Sequence, residues 1–152
     1  MSSPAAPQAP TAPAGLFLED LTVGQSAEIT RTASAADVEA FAAVTGDNNP
    51  VHLDEAYAAA TRFGGRIAHG MLSAGYISAV LGTRLPGPGA IYLSQSLAFR
   101  RPVKLDDAVT ARAEVVAIDE ASARVTLSTV CMVNGKVVAE GEALVMAPRR
   151  ST

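Results

Sequence analysis

The sequence predicts a single α+β domain in which one buried helix lies on one face of a curved antiparallel sheet. Residues 70–81 are apolar on nearly every side, which is typical of a helix inside a core. From Ala90 onwards apolar residues alternate with polar or small ones, the period of strands. Asn134 and Gly135 form a strong two-residue hairpin signal, and hairpins join antiparallel neighbours.

Composition excludes several classes of protein. The chain has 152 residues, of which 49% are hydrophobic, enough for one domain with a real core. A net charge of −3 argues against nucleic-acid binding, which usually requires a basic face. No apolar run reaches the length of a membrane span. The single Cys131 excludes an internal disulfide and a cysteine-rich metal site, and its strand-like surroundings predict a buried thiol.

The predicted domain covers residues 16–148. Residues 1–15 are rich in Pro, Ala and Ser, carry no charged side chain and predict a disordered tail. They lack the basic and apolar regions of a signal peptide, so we expect a cytoplasmic protein. Residues 149–152 are expected to form a short C-terminal tail, and no internal repeat or second domain is visible.

The first half of the domain contains a strand followed by a helix. The residue pattern over 26–32 predicts the strand. Ser34 can cap a helix that runs to residue 45, and Asp37 stands three positions later, as in a capping box. Gly46 is a plausible helix stop.

A loop, a short helix and then the sheet follow. Residues 47–53 are expected to be a loop, since Pro50 keeps the preceding residue out of helical geometry. Asp54 can cap a short helix through residue 61. After the central helix, strands are predicted over residues 91–99, 109–115, 125–133 and 137–145.

The residues that suggest chemistry lie in the predicted loop and at the start of the central helix. Asp47 and His52 place a carboxylate and an imidazole five positions apart, a pair able to move protons. Gly70 begins the apolar helix, where free backbone N–H groups favour a negatively charged oxygen. Together they suggest an enzyme that acts on an activated carbonyl compound.

These motifs extend into a longer pattern. Its parts are Asp47-x-Asn49-Pro50-x-His52, Ile67-Ala68-His69-Gly70-Met71, Ser78, and Ile91-Tyr92-Leu93-Ser94-Gln95-Ser96 running on to Pro102-Val103. The pattern resembles the MaoC-like, (R)-specific enoyl-CoA hydratase family, whose hot-dog fold wraps an antiparallel sheet around one helix. The resemblance covers roughly residues 18–147.

The resemblance implies hydration of a trans-2-enoyl-CoA to an (R)-3-hydroxyacyl-CoA. Asp47 and His52 would hold one water, and which of them is the base is left open. The Gly70 N–H would form the oxyanion site, and Ser78 would support the pair through a hydrogen bond. Asn49 would fix the loop that carries the pair.

Each of these residues has a simpler interpretation. Asp47 could be an ordinary turn residue and His52 a satisfied core histidine. His69 is better explained as a buried or supporting hydrogen-bonding residue than as a catalyst. Asp54 is better explained as a helix cap, and Ser73 as bonded to the preceding helical turn.

Five basic residues stand out in this acidic chain: Arg62, Arg66, Arg100, Arg101 and Lys104. They could be a solvated surface. They could equally contact the phosphates of coenzyme A or of a phosphopantetheine carrier, and in hot-dog dimers such contacts often come from both subunits. A homodimer or a dimer of dimers is expected.

No metal or cofactor is expected. The available ligands are His52, His69, Asp47 and Asp54, without a His-x-x-x-His motif or a cysteine pair.

The nearest alternative function is a 3-hydroxyacyl-ACP dehydratase using the same residues. An acyl-CoA thioesterase is less favoured, because residues 71–81 lack the carboxylate such enzymes typically use. A non-catalytic acyl-CoA-binding module would not need both Asp47 and His52.

Overall fold

The computed structural model describes residues 14–150. A short 3₁₀ turn covers Leu18–Asp20. The helices are α1 Ala35–Thr45, α2 Pro50–Leu53, α3 Glu55–Ala59 and α4 Gly70–Thr83; the strands are β1 Ser26–Thr32, β2 Ile91–Gln95, β3 Ala98–Phe99, β4 Ala108–Asp119, β5 Arg124–Val133 and β6 Lys136–Met146. Most of the predicted N-terminal tail, residues 1–13, lies outside the described residues, as do residues 151 and 152.

The strands form one antiparallel sheet in the order β1-β4-β5-β6-β2, with the short β3 paired to β6. The β5–β6 hairpin turns at Asn134 and Gly135, whose φ angles of 51° and 75° match a type I′ turn. The predicted strand over residues 91–99 is split at Ser96 and Leu97. Ser96 still exchanges hydrogen bonds with Glu142 of β6, but its carbonyl lies so close to Gly141 that the ladder is irregular there. The predicted α+β fold is confirmed.

Helix α4 packs one side against this sheet. Its buried residues are Ser73, Tyr76, Ile77, Val80 and Leu81. The opposite side is exposed along a stripe that we call the outer stripe: Met71, Gly75, Ser78 and Gly82. The helix is therefore buried on its sheet-facing side, as predicted, but a single chain does not enclose it on all sides.

The structure corrects the expected loop over residues 47–53. Only its first part is irregular, and the second part forms the one-turn helix α2. Pro50 occupies the first helical position, where its fixed φ fits and its missing N–H is not needed. The side chain of Asn49 accepts a hydrogen bond of 3.2 Å from Val51 N and caps this turn.

The other predicted caps are present. Ser34 Oγ accepts from Asp37 N at 3.1 Å at the start of α1, and Gly46 ends that helix with a φ of 80°. Asp54 Oδ1 accepts from Tyr57 N at 3.0 Å. The helix that Asp54 caps ends at residue 59, two residues earlier than predicted.

The two ends of the described chain meet. The Arg150 guanidinium lies 2.6 Å from Asp20 Oδ1, and Arg150 N donates to Glu19 Oε2 at 3.1 Å. Arg149 donates to the carbonyl of Ala121. Within residues 14–150, no helix combines the length and apolar content needed to cross a membrane.

Candidate active site

The segment that carries Asp47 and His52 is tied to the segment that leads into α4. His69 Nε2 donates to the Asp47 carbonyl at 2.9 Å. Arg66 Nε donates to the His52 carbonyl at 2.7 Å. Residues 66–69 therefore hold residues 47–52 in place, which explains why two motifs separated in sequence meet in the fold.

His52 has a defined ring tautomer. It is buried, and its Nδ1 lies 2.8 Å from the Ile67 carbonyl oxygen. A carbonyl only accepts hydrogen bonds, so a neutral His52 carries its proton on Nδ1. The lone pair on Nε2 is then free to accept a proton. The His52 ring also stacks on the ring of His69, with centroids 3.8 Å apart.

Asp47 lies next to this imidazole. Single ligand atoms of Asp47, His52 and His69 lie within 4.8 Å of one another. Within residues 14–150 the Asp47 carboxylate otherwise accepts only a long hydrogen bond, from Asn49 N at 3.4 Å, and the residue is exposed. The structure thus brings the carboxylate and the imidazole together, although Asp47 is not among the residues that line the cavity described below.

His69 is almost fully buried, 2% exposed, and immediately precedes α4. Its ring lies between His52 and Phe41, whose centroid is 4.6 Å away. One ring nitrogen is used on the Asp47 carbonyl, and Nδ1 has no hydrogen-bond partner among residues 14–150. This geometry matches a supporting hydrogen-bonding residue.

Gly70 is the first residue of α4, so its N–H has no partner within the helix. A Cβ at this position would lie 2.8 Å from the Phe99 ring. Gly70 therefore lets Phe99 cover the beginning of the helix. The N–H and the helix dipole together favour an oxyanion here.

His52 and Gly70 line one cavity of about 400 Å³. Much of the remaining wall is apolar and includes Ile67, Ala68, Met71, Phe99, Pro102, Val103, Val138 and Ala139. Ser73, 3% exposed, also lines the cavity. The sequence assigns Ser73 only a bond to the preceding turn, although its position one turn after Gly70 on the same helix face indicates a place beside the site.

The structure separates the five basic residues into two groups, those that line the cavity and those that do not, which the sequence did not distinguish. Arg62, Arg100 and Arg101 line the cavity, whereas Arg66 and Lys104 do not. Arg62 is exposed and its guanidinium lies 5.2 Å from the Phe63 ring centroid. Arg100 pairs with Glu140 at 3.3 Å and Arg101 donates to the Val137 carbonyl at 2.8 Å, so an anion at the cavity would share them with these partners. Arg66 instead contacts the main chain of the site.

Ser78 lies apart from the pair in this chain. It is on the outer stripe of α4 and is not among the residues that line the cavity. It lies eight positions after Gly70, about 12 Å along the helix axis. Its hydrogen bond near Asp47 and His52 therefore stays a prediction.

The cluster of Asp47, His52 and His69 is also the arrangement best suited to a metal among the described residues. Each histidine gives one ring nitrogen to a backbone carbonyl, which leaves one nitrogen per ring. A metal would therefore compete with the proton-accepting atom of His52. The expected absence of a metal stays a prediction.

Comparison with known proteins identifies the family. The model of the MaoC-like domain matches residues 19–139. The chain belongs to the MaoC-like domain family. This MaoC-like chain is 55% identical over 134 residues to an (R)-specific enoyl-CoA hydratase of Rhodospirillum rubrum, covering 88% of the chain and 93% of the relative.

Two further similarities bear on structure and substrate. The unliganded R-hydratase PhaJ1 of Pseudomonas aeruginosa superposes with a TM-score of 0.86 at 50% identity, covering 90% of the MaoC-like chain and 88% of PhaJ1. A mitochondrial 3-hydroxyacyl-[acyl-carrier-protein] dehydratase of Arabidopsis thaliana is 36% identical, covering 84% of the chain and 78% of the relative. The predicted hot-dog fold and hydro-lyase class are confirmed.

Proposed function

We propose that this chain hydrates trans-2-enoyl-CoA to (R)-3-hydroxyacyl-CoA. The observation that carries the proposal is a cavity lined by His52 and Gly70, where ring Nδ1 of His52 is held by the Ile67 carbonyl. The Asp47 carboxylate lies within 4.8 Å of a ring nitrogen of His52, outside the lining of the cavity. Proton transfer and oxyanion stabilisation are the two requirements of the reaction.

His52 is the base in the proposed mechanism, because its Nε2 lone pair is available while Nδ1–H is held by the Ile67 carbonyl. One proton of the water moves to Nε2 and the water oxygen bonds to C3. The electron pair of the C2–C3 double bond moves towards the thioester oxygen, which accepts from the Gly70 N–H. The proton on Nε2 then passes to C2 on the same face, while Asp47 orients the water.

Coenzyme A is the proposed carrier of the acyl group. The relative named for an enoyl-CoA substrate is 55% identical, and the relative named for an acyl-carrier-protein substrate is 36% identical. Arg62, Arg100 and Arg101 provide positive charge at the cavity for phosphate groups. A 3-hydroxyacyl-ACP dehydratase is the second candidate, since the same residues would catalyse the reverse reaction.

A thioesterase is disfavoured by the central helix. Helix α4 carries no Asp or Glu along its length, Gly70–Thr83, so no carboxylate faces the cavity from it.

The proposed hydration requires neither a metal nor another cofactor, and we expect a chelator to leave the rate unchanged. The cytoplasmic location stays a prediction.

A homodimer is the proposed assembly, alone or within a dimer of dimers. Strand β2 is an edge of the sheet, and Ile91, Tyr92 and Leu93 on it are exposed, Ile91 by 56%. An exposed apolar edge strand is a ready site for pairing with another chain. A second copy on this edge would remove these side chains from water.

The direct test follows the absorbance of the enoyl thioester with crotonyl-CoA and longer chains, with chiral analysis of the product. We expect Asp47→Asn and His52→Ala each to lower turnover by about 10²–10⁴-fold. Asp54→Asn is the matched control, since Asn can also cap α3 and activity should persist. Hydration no faster than buffer for every chain length would contradict the proposal, and full activity in either variant would remove that residue from the mechanism.

A further inference from the structure

We infer that Arg66 is a positioning residue for His52 rather than a contact for the phosphates of the substrate. The inference rests on the proposed role of His52 as the base. In sequence, Arg66 is indistinguishable from Arg62, since both flank the same Phe-Gly-Gly turn. The structure separates them, because only Arg62 lines the cavity.

Arg66 contacts the backbone of His52 directly. Its Nε donates to the His52 carbonyl at 2.7 Å, a short bond from a charged donor. His52 belongs to the one-turn helix α2, whose last carbonyls have no partners within so short a helix. A charged donor at this end satisfies one of those carbonyls.

Arg66 and Ile67 together fix both ends of His52. Arg66 holds its main-chain carbonyl, and the Ile67 carbonyl accepts from ring Nδ1 at 2.8 Å. The two contacts come from neighbouring residues, so a shift of one moves the other. The main chain of His52 and the direction of its Nε2 are therefore set by the same short segment.

The remaining contacts of Arg66 leave it little freedom to bind an anion. Its side chain is 14% exposed. The only carboxylate within ion-pair range among the described residues is that of Glu39, 3.8 Å from Nη2 and itself 64% exposed. Such a loose, solvated pair is weak. Nη2 is buried and has no hydrogen-bond partner within residues 14–150. Among the described residues, the hydrogen bond to the His52 carbonyl is thus shorter than the ion-pair contact of the guanidinium, 2.7 Å against 3.8 Å.

Lysine cannot replace this arginine. A lysine ammonium lacks the planar fork that places Nε on one carbonyl while Nη2 faces α1. Misplacement of a catalytic group by about 1 Å can cost about 10²-fold in rate. We therefore expect Arg66→Lys and Arg66→Gln to lower kcat by about 10- to 100-fold and to change KM for the enoyl-CoA by less than about threefold.

The experiment combines kinetics with ¹⁵N NMR of the imidazoles. The chain has two histidines, so the ring signals can be assigned with one His69 variant. We expect a single Nδ1–H tautomer of His52 in the wild type and a tautomer mixture in Arg66→Lys. Arg124→Gln, an exposed arginine on β5, is the matched control and should leave kcat, KM and the tautomer unchanged.

The outcomes separate this inference from the proposed function. A wild type that hydrates no enoyl thioester defeats the proposed function, while the tautomer still reports whether Arg66 orients His52. Wild-type kcat and an unchanged tautomer in Arg66→Lys overturn the inference. So does a tenfold rise in KM with kcat unchanged, which is the signature of an anion contact. A loss of kcat that matches only the unfolded fraction, with folded-state signals unaltered, also overturns it.

Discussion

At the scale of single residues, hydrogen-bond partners decide what each candidate group can do. His52 and His69 are both buried, and each gives one ring nitrogen to a backbone carbonyl. They differ in where the other nitrogen lies. The cavity is lined by His52 and not by His69, and the proposed mechanism therefore assigns proton transfer to His52.

The role of His69 leads to a prediction with two variants. His69→Gln can keep a donor for the Asp47 carbonyl, whereas His69→Leu cannot. We expect turnover to fall by about 10²-fold in the leucine variant and clearly less in the glutamine variant, because Asp47 stays in position. Steady-state kinetics on crotonyl-CoA distinguish the two. Equal losses would indicate that ring stacking on His52, rather than the hydrogen bond, matters.

Cys131 gives a prediction about reactivity. Burial raises the pKa of its thiol to about 12, and its Sγ donates to the Ser73 carbonyl at 3.4 Å. The thiolate is the reactive form, so the folded protein should not react with a disulfide reagent at pH 8. The thiol should react stoichiometrically in denaturant, where the pKa returns to its ordinary value. Rapid labelling of the folded protein at pH 8 would contradict this burial.

The raised pKa of Cys131 also predicts how the free energy of unfolding changes with pH. Because the pKa of Cys131 is higher in the folded state than in the unfolded state, folding favours the neutral thiol. The resulting contribution to the free energy of unfolding is fully present below the pKa of the unfolded state. It is lost as pH rises from the ordinary thiol value towards about 12. The free energy of unfolding, measured by denaturant titration, should therefore fall less at alkaline pH in Cys131→Ala than in the wild type.

At the scale of elements, the start of α4 supplies the proposed oxyanion site. The preceding residue, His69, has extended backbone angles, φ −61° and ψ 135°. These angles tolerate a following proline, and proline is favoured at the first helical position. Gly70→Pro can therefore remove the N–H while the helix still begins at residue 70.

Comparing Gly70→Pro with Gly70→Ala isolates that N–H. Alanine keeps the donor but brings a methyl group against Phe99, whose exposed ring has room to move. We expect the proline variant to lose about 10²–10³-fold more turnover than the alanine variant. Gly65→Ala, in the loop before α4, is the control for a glycine replacement outside the site. Equal kcat in the proline and alanine variants would exclude the Gly70 N–H from the mechanism.

At the scale of the whole molecule, the described residues 14–150 leave apolar side chains exposed on the β2 edge and at Met71 on α4. The domain is complete as a sheet packed on a helix, yet Ile91 and Met71 are each more than half exposed. Exposure of apolar side chains along an edge strand is a liability in a protein that remains alone. We therefore treat the dimer as part of the proposed functional unit.

The dimer prediction is tested by placing charge on the β2 edge. A double variant, Ile91→Glu with Leu93→Glu, should shift the protein from dimer to monomer in light scattering, because buried charges would face each other across the interface. Val44→Glu is the matched control, since Val44 is 86% exposed on α1. A wild type that is monomeric at micromolar concentration would contradict the proposed assembly.

The sequence by itself determined those features that depend on local periodicity and turn chemistry. Strand β1, the start of α1, the start of α4 at Gly70 and the hairpin at Asn134 lie where the pattern predicts them, because caps and type I′ turns need particular side chains nearby. The motif residues Asp47 and His52 were also identifiable, since their types and spacing are local facts. The one-turn helix α2 was missed because a four-residue helix is decided by its contacts more than by its propensity.

Only the tertiary structure decided which contacts each of these residues makes and therefore which role it can take. The free nitrogen of His52 depends on a carbonyl fifteen residues away, and the difference between Arg62 and Arg66 depends on which side of a turn each faces. Ser73 lines the cavity and Ser78 lies outside it, although both are serines on one apolar helix. Long-range contacts set each of these outcomes, and a pattern of residue types along the chain contains no information about which partner a polar group will meet.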